Sequence, residues 1–382
     1  MAELINTPQK ENYLNELSVS RRMLMGPGPS DVHPRVLKAM ATPLIGHLDP
    51  EFIQVMDEIK EMAKQTFITE NELTFIVSAP GSAGMETSLV NLLEPGDEAI
   101  ICIHGVFGVR MAEIAERCGA TVIKVEAPWG EPIDPSILAK ALATCNPKLV
   151  SIVHAETSTG VLQPLKEISD LVHDAGALFV VDAVTSYTGT ELRVDDWGID
   201  AIYSGTQKCL SAPPGLSPIS FSTRAVEAIN NRQHKVQSWF LDLSLVKDYW
   251  SGAKRAYHHT APVSAMFALR EAYRLVLEEG LEIRWARHRQ NHELLKNGLQ
   301  SMGIDFLVDE PYRLPMLNAV KVPEGVDDAA VRSILLNEYN IEIGAGLAQF
   351  AGKVWRIGIM GESSTPKHVN TLLSALREII NR

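Results

Sequence analysis

An aspartate, Asp182, follows four apolar residues in the segment Leu-Phe-Val-Val-Asp-Ala-Val at 178–184. The β-branched residues before Asp182 predict a buried strand. Ligands of open α/β sheets gather at the carboxyl ends of strands, so Asp182 places a carboxylate where a ligand could bind. Side chains alternate along a strand, and Asp182 and Val184 could therefore contact one flat ligand together. Taken alone, the segment is equally consistent with an aspartate that caps the next turn.

A lysine follows in a loop of small neutral residues, Tyr-Ser-Gly-Thr-Gln-Lys at 203–208. Partial desolvation lowers the pKa of an amine, as Schiff-base chemistry requires. A lone loop lysine is usually solvated, but Lys208 together with Asp182 makes a specific pair. A pyridine cofactor that accepts electrons needs a carboxylate for its ring nitrogen and an amine for its attachment. The pair therefore predicts such a cofactor.

A glycine-rich turn, Ser-Ala-Pro-Gly-Ser-Ala-Gly-Met-Glu at 78–86, lies between a predicted strand and a predicted helix. Free amides at a helix N-terminus form an anion site, which could hold the phosphate of a cofactor. The turn lacks the Lys-Ser/Thr ending of a nucleotide P-loop and a complete Gly-x-Gly-x-x-Gly, so a dinucleotide is disfavoured. Glycines also serve tight turns for conformational reasons alone, so this signal is weak without Asp182 and Lys208.

The elements that must position these residues follow from the pattern of apolar runs. Short β-branched runs alternate with helical stretches from about residue 72 to 184, which predicts a mainly parallel sheet covered by helices, an α/β fold. The predicted strands are 73–77, 99–103, 121–125, 149–154 and 178–184, and the predicted helices are 82–93, 106–118, 135–143 and 165–175. Two long helices follow at 263–279 and 281–302, and then a smaller α+β unit with strands at 317–322, 341–343 and 354–359 and helices at 328–339 and from 366. We expect an N-terminal arm (1–20), a large domain that binds the cofactor (21–280) and a small C-terminal domain (281–382).

Composition excludes several classes of function. The chain has 382 residues and a formal net charge of −12, which argues against binding to nucleic acid or to an anionic membrane. No uncharged apolar run reaches the roughly 18 residues of a membrane span. The first twenty residues contain three glutamates and no arginine, and the C-terminus is not a peroxisomal tripeptide, so we expect a cytoplasmic protein.

The metal-ligating residue types give no metal site. The four cysteines, Cys102, Cys118, Cys145 and Cys209, form no Cys-x-x-Cys pair, and we expect reduced, mostly buried thiols at the first three. His288 and His292 could share a helix face as ligands, but their surroundings are cationic and offer no carboxylate. A solvated helix face is the interpretation we adopt for them.

Taken together, these motifs resemble the class V, fold type I, pyridoxal-phosphate aminotransferases, and within them the alanine:glyoxylate/serine:pyruvate group. The likeness covers nearly the whole chain, from Met-Gly-Pro-Gly-Pro-Ser at 25–30 to Trp-Arg-Ile-Gly at 355–358. Its other motifs are Ala-Glu-Thr-Ser-Thr-Gly at 155–160, Ser-Gly-Thr-Gln-Lys at 204–208 and Tyr-His-His-Thr at 257–260. The resemblance implies a fold type I architecture and pyridoxal 5'-phosphate as cofactor.

The resemblance implies that Lys208 binds the cofactor covalently and that Asp182 pairs with its ring nitrogen. The remaining cofactor contacts that it implies are Phe107 and Val184 against the ring faces, Thr157 at the ring oxygen, and Pro80, Gly81, Ser82 and Gln207 at the phosphate. Pro-Gly-Ser at 80–82 stands where animal members have Ser-Gly-His, and Phe107 stands where they have Trp. Tyr257 and Thr260 are expected to reach the phosphate of a partner subunit, so the resemblance implies a homodimer with shared sites. The histidines between them, His258 and His259, are expected to orient this loop.

The substrate carboxylate would be held by Gly28 and Arg356 and approached by Thr157. Arg356 is the only charged residue in Val354–Ile359, and its planar fork matches a carboxylate. An edge-strand arginine paired with a surface acid is the alternative interpretation.

The implied reaction moves the amino group of a small amino acid, alanine or serine, to glyoxylate and gives glycine and a 2-keto acid. No second cation is evident for a distal carboxylate, which favours a small neutral donor. A class V enzyme that acts on kynurenine-type substrates, as transaminase or hydrolase, remains an alternative. A non-catalytic relative is a further alternative, although the intact Lys208, Asp182 and Arg356 count against it. A cysteine desulfurase needs a reactive cysteine after the lysine, and no cysteine follows Cys209.

Overall fold

The computed structural model describes residues 15–251 and 255–382. Residues 1–14 of the expected N-terminal arm lie outside these ranges. The strands are β1 (Met23–Leu24), β2 (Leu73–Val77), β3 (Glu98–Ile103), β4 (Thr121–Glu126), β5 (Leu149–Val153), β6 (Ala155–Glu156), β7 (Val161–Leu162), β8 (Leu178–Asp182), β9 (Ala201–Tyr203), β10 (Ser217–Phe221), β11 (Leu317–Lys321), β12 (Ile341–Glu342), β13 (Gly344–Ala345) and β14 (Val354–Gly358). The helices are α1 (Pro34–Met40), α2 (Pro50–Phe67), α3 (Gly81–Leu92), α4 (Val106–Arg117), α5 (Pro135–Leu142), α6 (Lys166–Asp174), α7 (Thr223–Asn230), α8 (Leu243–Trp250), α9 (Val263–Glu279), α10 (Leu281–Gln300), α11 (Asp328–Glu338) and α12 (Pro366–Ile380).

A seven-stranded sheet with the order β2-β10-β9-β8-β5-β3-β4 forms the centre of the molecule. Only β10 runs antiparallel to its neighbours, so the sheet is mainly parallel and the predicted α/β class is confirmed. The five strands predicted in this part are present within two residues at each end. The sequence did not predict β9, which has three residues, or β10, whose serines interrupt the apolar pattern. In β10 the Ser220 hydroxyl lies 2.9 Å from the hydroxyl of Thr74 on β2, so a polar residue is satisfied inside the sheet.

The C-terminal part forms a second hydrophobic core around the antiparallel sheet β11-β14-β13. Trp355 and Ile357 of β14 are fully buried in this core. β1 pairs in parallel with β12, and the buried Met25 packs in the same core. Residues 23–25 therefore pack with the C-terminal unit, although the expected domain division places them in the large domain.

The two histidines of α10 are buried, so the predicted solvated helix face is wrong. His288 Nδ1 donates to the Arg284 carbonyl at 2.8 Å, and its Nε2 accepts from the Gly361 N–H at 2.9 Å. His292 Nδ1 lies 2.7 Å from Asn318 Oδ1 of β11. Burial lowers the pKa of His288 to about 3, so this side chain is a neutral hydrogen-bonding group. The cationic neighbours of this face suggested exposure, whereas packing of α10 against the C-terminal unit covers it.

Two further features of the described chain concern membranes and metals. No helix in residues 15–251 and 255–382 combines the length and the apolar character that a bilayer crossing requires. The same residues contain no group of three or more His, Cys, Asp or Glu side chains arranged to hold a metal ion. Three cysteine thiols are buried and Cys145 is half-buried.

Candidate active site

The loops that carry the predicted site residues follow the carboxyl ends of five strands of the large sheet. They follow β2 (78–81), β3 (104–107), β5 with its hairpin (154–158), β8 (183–185) and β9 (204–208). Because β2, β3, β5, β8 and β9 all run in one direction, these ends meet along one edge of the sheet. The parallel topology thus brings together residues that are far apart in sequence; Ser78 and Lys208, for example, are 130 positions apart.

Asp182 ends β8 with only 3% of its surface exposed. Its Oδ1 accepts from the Val184 N–H at 2.8 Å, and its Oδ2 accepts from the Tyr203 hydroxyl at 3.0 Å. The Val184 bond is the turn-capping contact that the sequence allowed as an alternative, but it uses one carboxylate oxygen only. Burial raises the pKa of Asp182 from 3.8 to about 7, and the two hydrogen bonds partly oppose this. The carboxyl therefore exchanges its proton near neutral pH and suits a protonated ring nitrogen as partner.

Lys208 lies after β9 with 8% of its surface exposed. Its Nζ donates to the Pro27 carbonyl, and no carboxylate of the described residues lies within ion-pair distance. Burial first, and then the charge of Arg356, lower the pKa of the amine from 10.5 to about 8. The loop lysine is thus desolvated, as the sequence predicts, and a good share of it is unprotonated at mildly alkaline pH.

Gly28 lies directly against the Lys208 side chain. A Cβ at this position would lie 2.8 Å from Lys208 Cδ and 2.9 Å from Nζ, and the φ angle is +109°. The left-handed backbone favours glycine here, and a Cβ would fit only if the Lys208 side chain moved away. The motif at residues 25–30 and the loop that carries Lys208 are therefore in contact.

The N-terminus of α3 offers free amides. The N–H groups of Gly81 and Ser82 make no hydrogen bond with any residue of the described ranges, and Pro80 supplies no side-chain cap. The N-terminus of α4 is the opposite case, because Glu156 Oε2 accepts from the Phe107 N–H at 3.3 Å. Of the two helix N-termini at this edge, α4 is closed by the chain's own carboxylate and α3 is open to an external anion.

The other predicted cofactor residues surround this open helix start. Val184 Cγ2 would lie 3.2 Å from a Cβ at Gly81, so the second residue after Asp182 contacts the glycine turn. Gln207 Oε1 is buried and accepts no hydrogen bond from the described residues. Phe107 is half-buried at the start of α4. Gln207 Oε1 lies beside Gly205, whose Cα is close to Gly81, so Val184 and Gln207 both lie near the open start of α3.

Thr157 connects the β5 loop to the substrate side. Its side chain is 4% exposed, and its Oγ1 lies 2.5 Å from Thr185 Oγ1. Its carbonyl accepts from Arg356 Nη1 at 3.3 Å. The predicted cofactor contact and the predicted carboxylate ligand therefore touch.

Arg356 lies on β14, the central strand of the small sheet, with 7% of its surface exposed. Its Nε donates to the Ala345 carbonyl at 2.7 Å, and no acid in residues 15–251 or 255–382 lies within ion-pair distance. The alternative of a surface ion pair on an edge strand is therefore wrong. Burial lowers the pKa of the guanidinium to about 10, and the distant charge of Glu156 opposes this. A buried cation held by two carbonyls retains N–H groups for an anionic ligand.

Tyr257 and Thr260 are not joined to this group by any hydrogen bond within the described part of the chain. Tyr257 is 65% exposed, and Thr260 is exposed as well. Between them, His259 Nε2 lies 2.7 Å from the Ser78 hydroxyl, and its Nδ1 lies 2.8 Å from His258 Nδ1. The two histidines thus anchor the loop, and Tyr257 and Thr260 point to the outside of a single chain.

The residues fit the cofactor that the resemblance implies. The site combines a buried carboxyl with a pKa near neutral, a buried amine without an acidic partner among the described residues, and an open helix N-terminus. Pyridoxal phosphate carries a ring nitrogen, an aldehyde and a phosphate, and these three groups match the carboxyl, the amine and the helix N-terminus in that order.

Sequence reasoning missed three side chains that shape the site. Tyr203 donates to Asp182, and Glu156, which is fully buried, closes α4. Arg110 Nη1 donates to the Ser82 hydroxyl at 3.2 Å, and its guanidinium lies 5.1 Å from the centre of the Phe107 ring. Tyr203 and Glu156 stand inside motifs that the sequence singled out, so their polar side chains in buried segments were a usable signal.

Comparisons with known proteins show the family to which the chain belongs. The family described as "Aminotransferase class-V" matches residues 24–360. An (S)-ureidoglycine–glyoxylate transaminase of Bacillus subtilis is 40% identical over 96% of this chain and 92% of its own length. An alanine–glyoxylate aminotransferase of Rattus norvegicus is 42% identical over 98% of this chain and 91% of its own.

A solved structure shows the same fold. The crystal structure of an alanine–glyoxylate aminotransferase from Nostoc sp. has a TM-score of 0.94 and 46% sequence identity, and the match covers 96% of this chain and 97% of that chain.

Proposed function

The chain belongs to the class-V aminotransferases, and from this premise we propose that it transfers the amino group of alanine to glyoxylate with pyridoxal 5'-phosphate. The observation that carries the proposal is the buried Arg356 guanidinium, which has no acidic partner in the described residues, together with the buried Lys208 amine. The unpartnered guanidinium lowers the cost of binding an anion, and an amino acid brings a carboxylate.

Arg356 would bind the substrate carboxylate through the N–H groups that Ala345 and Thr157 leave free. Because its Nε is held at 2.7 Å by the Ala345 carbonyl, the plane of the guanidinium is fixed before a substrate arrives. This orients the substrate Cα toward the neighbouring Lys208, whose pKa already responds to the Arg356 charge.

Lys208 would act as the base that removes the Cα proton. Its lowered pKa of about 8 keeps part of the amine unprotonated near neutral pH, and burial excludes water that would compete for the proton. Bound pyridoxal phosphate supplies the acceptor for the electrons that this proton leaves behind. Asp182 would hold a charge-assisted hydrogen bond at the ring nitrogen, and Tyr203 keeps its second oxygen in place.

The number of cations in the site favours an amino-acid donor with a small, uncharged side chain. Lys208 and Arg356 have roles in the reaction, and Arg110 lies beside Ser82 at the open end of α3, where the phosphate would bind. None of these three is left over to pair with a second, distal carboxylate. This favours alanine or serine over aspartate or glutamate.

We propose in addition that the functional unit is a homodimer. Tyr257 and Thr260 are exposed on a loop that His259 anchors at Ser78, and this supports a role for these side chains in the site of another subunit.

A donor and acceptor panel tests the function. Purified protein loaded with pyridoxal phosphate is assayed with alanine, serine, (S)-ureidoglycine, aspartate and kynurenine against glyoxylate, pyruvate and 2-oxoglutarate. We expect alanine with glyoxylate to give the highest kcat/KM and Lys208→Ala to lose both the yellow colour and turnover. A preference for (S)-ureidoglycine or kynurenine would replace the proposed donor, and a protein that takes up no pyridoxal phosphate would contradict the proposal.

A further inference from the structure

Two serine hydroxyls lie against the backbone of Lys208 and take no direct part in the proposed reaction. Ser30 follows the Gly28 turn and is 3% exposed, and Ser211 follows Lys208 and is 5% exposed. Their Oγ atoms are 2.9 Å apart. Two buried hydroxyls in contact must each find an acceptor for one hydrogen.

The direction of the hydrogen bonds follows from the donor inventory. Ser30 Oγ lies 2.7 Å from the Lys208 carbonyl, which can only accept, so Ser30 donates its hydrogen there. Ser211 must then donate to Ser30. Ser211 Oγ itself accepts from the Glu362 N–H at 2.9 Å. The result is a one-way chain that runs from the Glu362 amide through both hydroxyls to the Lys208 carbonyl.

The same two serines hold the Lys208 backbone through their main chain. The Ser30 N–H donates to the Gln207 carbonyl at 2.9 Å, and the Ser211 N–H donates to the Lys208 carbonyl at 3.0 Å. The carbonyls on both sides of the Lys208 Cα are therefore held. This fixes the direction in which the lysine side chain leaves the backbone.

The chain of hydrogen bonds begins at the Glu362 amide, which lies in the same C-terminal unit as Arg356. Gly361 has φ +52°, and Arg287 Nη1 donates to its carbonyl at 2.9 Å. His288 Nε2 accepts from the Gly361 N–H at 2.9 Å. The segment after β14 is thus anchored on α10, and the two hydroxyls connect it to the lysine loop.

We propose that Ser30 and Ser211 are positioning residues that hold the Lys208 amine at a fixed place relative to Arg356. The inference rests on the proposed aminotransferase function, in which one amino acid must present its carboxylate to Arg356 and its Cα to Lys208 at the same time. Loss of either hydroxyl breaks the chain and loosens the lysine, while Arg356 keeps its own contacts. The proton-transfer step is slowed, and the affinity for the carboxylate is retained.

The test uses Ser30→Ala, Ser211→Gly and the double variant. Glycine at 211 keeps the backbone relaxed, because Ser211 has φ 55°. Ser363→Ala is the matched control, since the fully buried Ser363 hydroxyl accepts from the Asp31 N–H at 3.0 Å and joins the same segments without touching Lys208. Ser30→Thr keeps a hydroxyl and tests rescue.

Two readouts are measured. One is the single-turnover half-reaction with alanine, as maximal rate and half-saturating concentration. The other is the rate at which cofactor-free protein captures pyridoxal phosphate, followed by its yellow absorbance. Each single variant should lower the maximal rate and the capture rate by about fivefold to tenfold, the size of one hydrogen bond, with the half-saturating concentration changed by less than about twofold. The double variant should be no slower than the slower single variant, because the chain is already broken.

The outcomes separate the two proposals. If the wild type captures no pyridoxal phosphate, the proposed function is wrong and this inference falls with it. If the wild type captures it and reacts, but Ser30→Ala and Ser211→Gly match Ser363→Ala in both rates, only the positioning role is overturned. Additive effects of the two changes, or no recovery in Ser30→Thr, would also overturn it.

Discussion

Replacement of Asp182 by asparagine is expected to stabilise the cofactor-free protein above pH 7 and to weaken its hold on pyridoxal phosphate. Asparagine has the same shape and keeps both contacts, since its Oδ1 can accept from Val184 and its amide can donate to the Tyr203 oxygen. The change therefore removes the ionisable proton, and the Tyr203 hydroxyl turns from donor to acceptor at this contact.

The magnitude follows from the pKa. Burial raises the pKa of Asp182 to about 7 from the 3.8 of an unfolded chain. Between these values the folded chain binds a proton that the unfolded chain has released, so the free energy of unfolding falls as pH rises through this window. The free energy of unfolding falls by roughly 4 kcal/mol in all, at about 1.4 kcal/mol for each pKa unit. The asparagine variant has no ionisable group at this position, so its stability should not show this decrease.

The assay is denaturant unfolding of cofactor-free wild type and Asp182→Asn at pH 5, 6, 7 and 8. The stability of the variant relative to the wild type should increase by roughly 3 kcal/mol between pH 5 and 8. Asp134→Asn is the control, because Asp134 caps α5 at the surface and its hydrogen bonds to Ser136 hold its pKa below the ordinary value. That variant should show no such increase over this range.

A second measurement addresses the cofactor. Loss of the charge-assisted hydrogen bond to the ring nitrogen should weaken pyridoxal phosphate binding by about tenfold to a hundredfold. A stability difference that stays flat from pH 5 to 8 would show that Asp182 ionises at its ordinary pKa, and the argument from burial would then be wrong.

Three further predictions concern the cations and the subunit contact. Arg356→Lys keeps the charge but loses the fork, and it should cost about 1.5 to 3 kcal/mol, roughly tenfold to a hundredfold in kcat/KM for alanine and glyoxylate alike, with cofactor uptake intact; unchanged kinetics would remove Arg356 from the site. Capture of pyridoxal phosphate by the cofactor-free protein should accelerate as pH rises through about 8, because burial lowers the Lys208 pKa to that value and only the unprotonated amine can attack; a midpoint near 10 in stopped-flow absorbance would contradict this. Mixing Lys208→Ala chains with Tyr257→Phe/Thr260→Ala chains should restore activity in heterodimers that contain one intact site, and a monomer, or no gain after complete subunit exchange, would refute the shared site.

Much of the fold and the centre of the site could be predicted from sequence. The parallel strands read as short apolar runs because both faces of the sheet are covered, and this pattern is local. Asp182 and Lys208 stood out because a charge that ends an apolar strand or interrupts a small neutral loop must be paired or functional. The family resemblance then added residues whose individual signals are weak, such as Gly28 and Gln207.

The tertiary structure decided how buried polar groups are satisfied. His288 and His292 are surrounded by charges in sequence, yet packing of α10 on the C-terminal unit buries both. Glu156 closes α4, which leaves α3 as the open anion site, and this distinction between two similar helix starts depends on a carboxylate about 50 residues away.

Sequence by itself determined five of the seven strands of the large sheet, the lysine–aspartate pair and the family resemblance. It could not show that Ser30 lies against Lys208, since these residues are 178 positions apart. Ser30 and Ser211 are also ordinary loop residues in the sequence. The physical reason is that periodicity reports how one segment divides between core and solvent, whereas a buried hydroxyl chain depends on which distant segments meet. That meeting exists only once the parallel sheet and the C-terminal unit have packed.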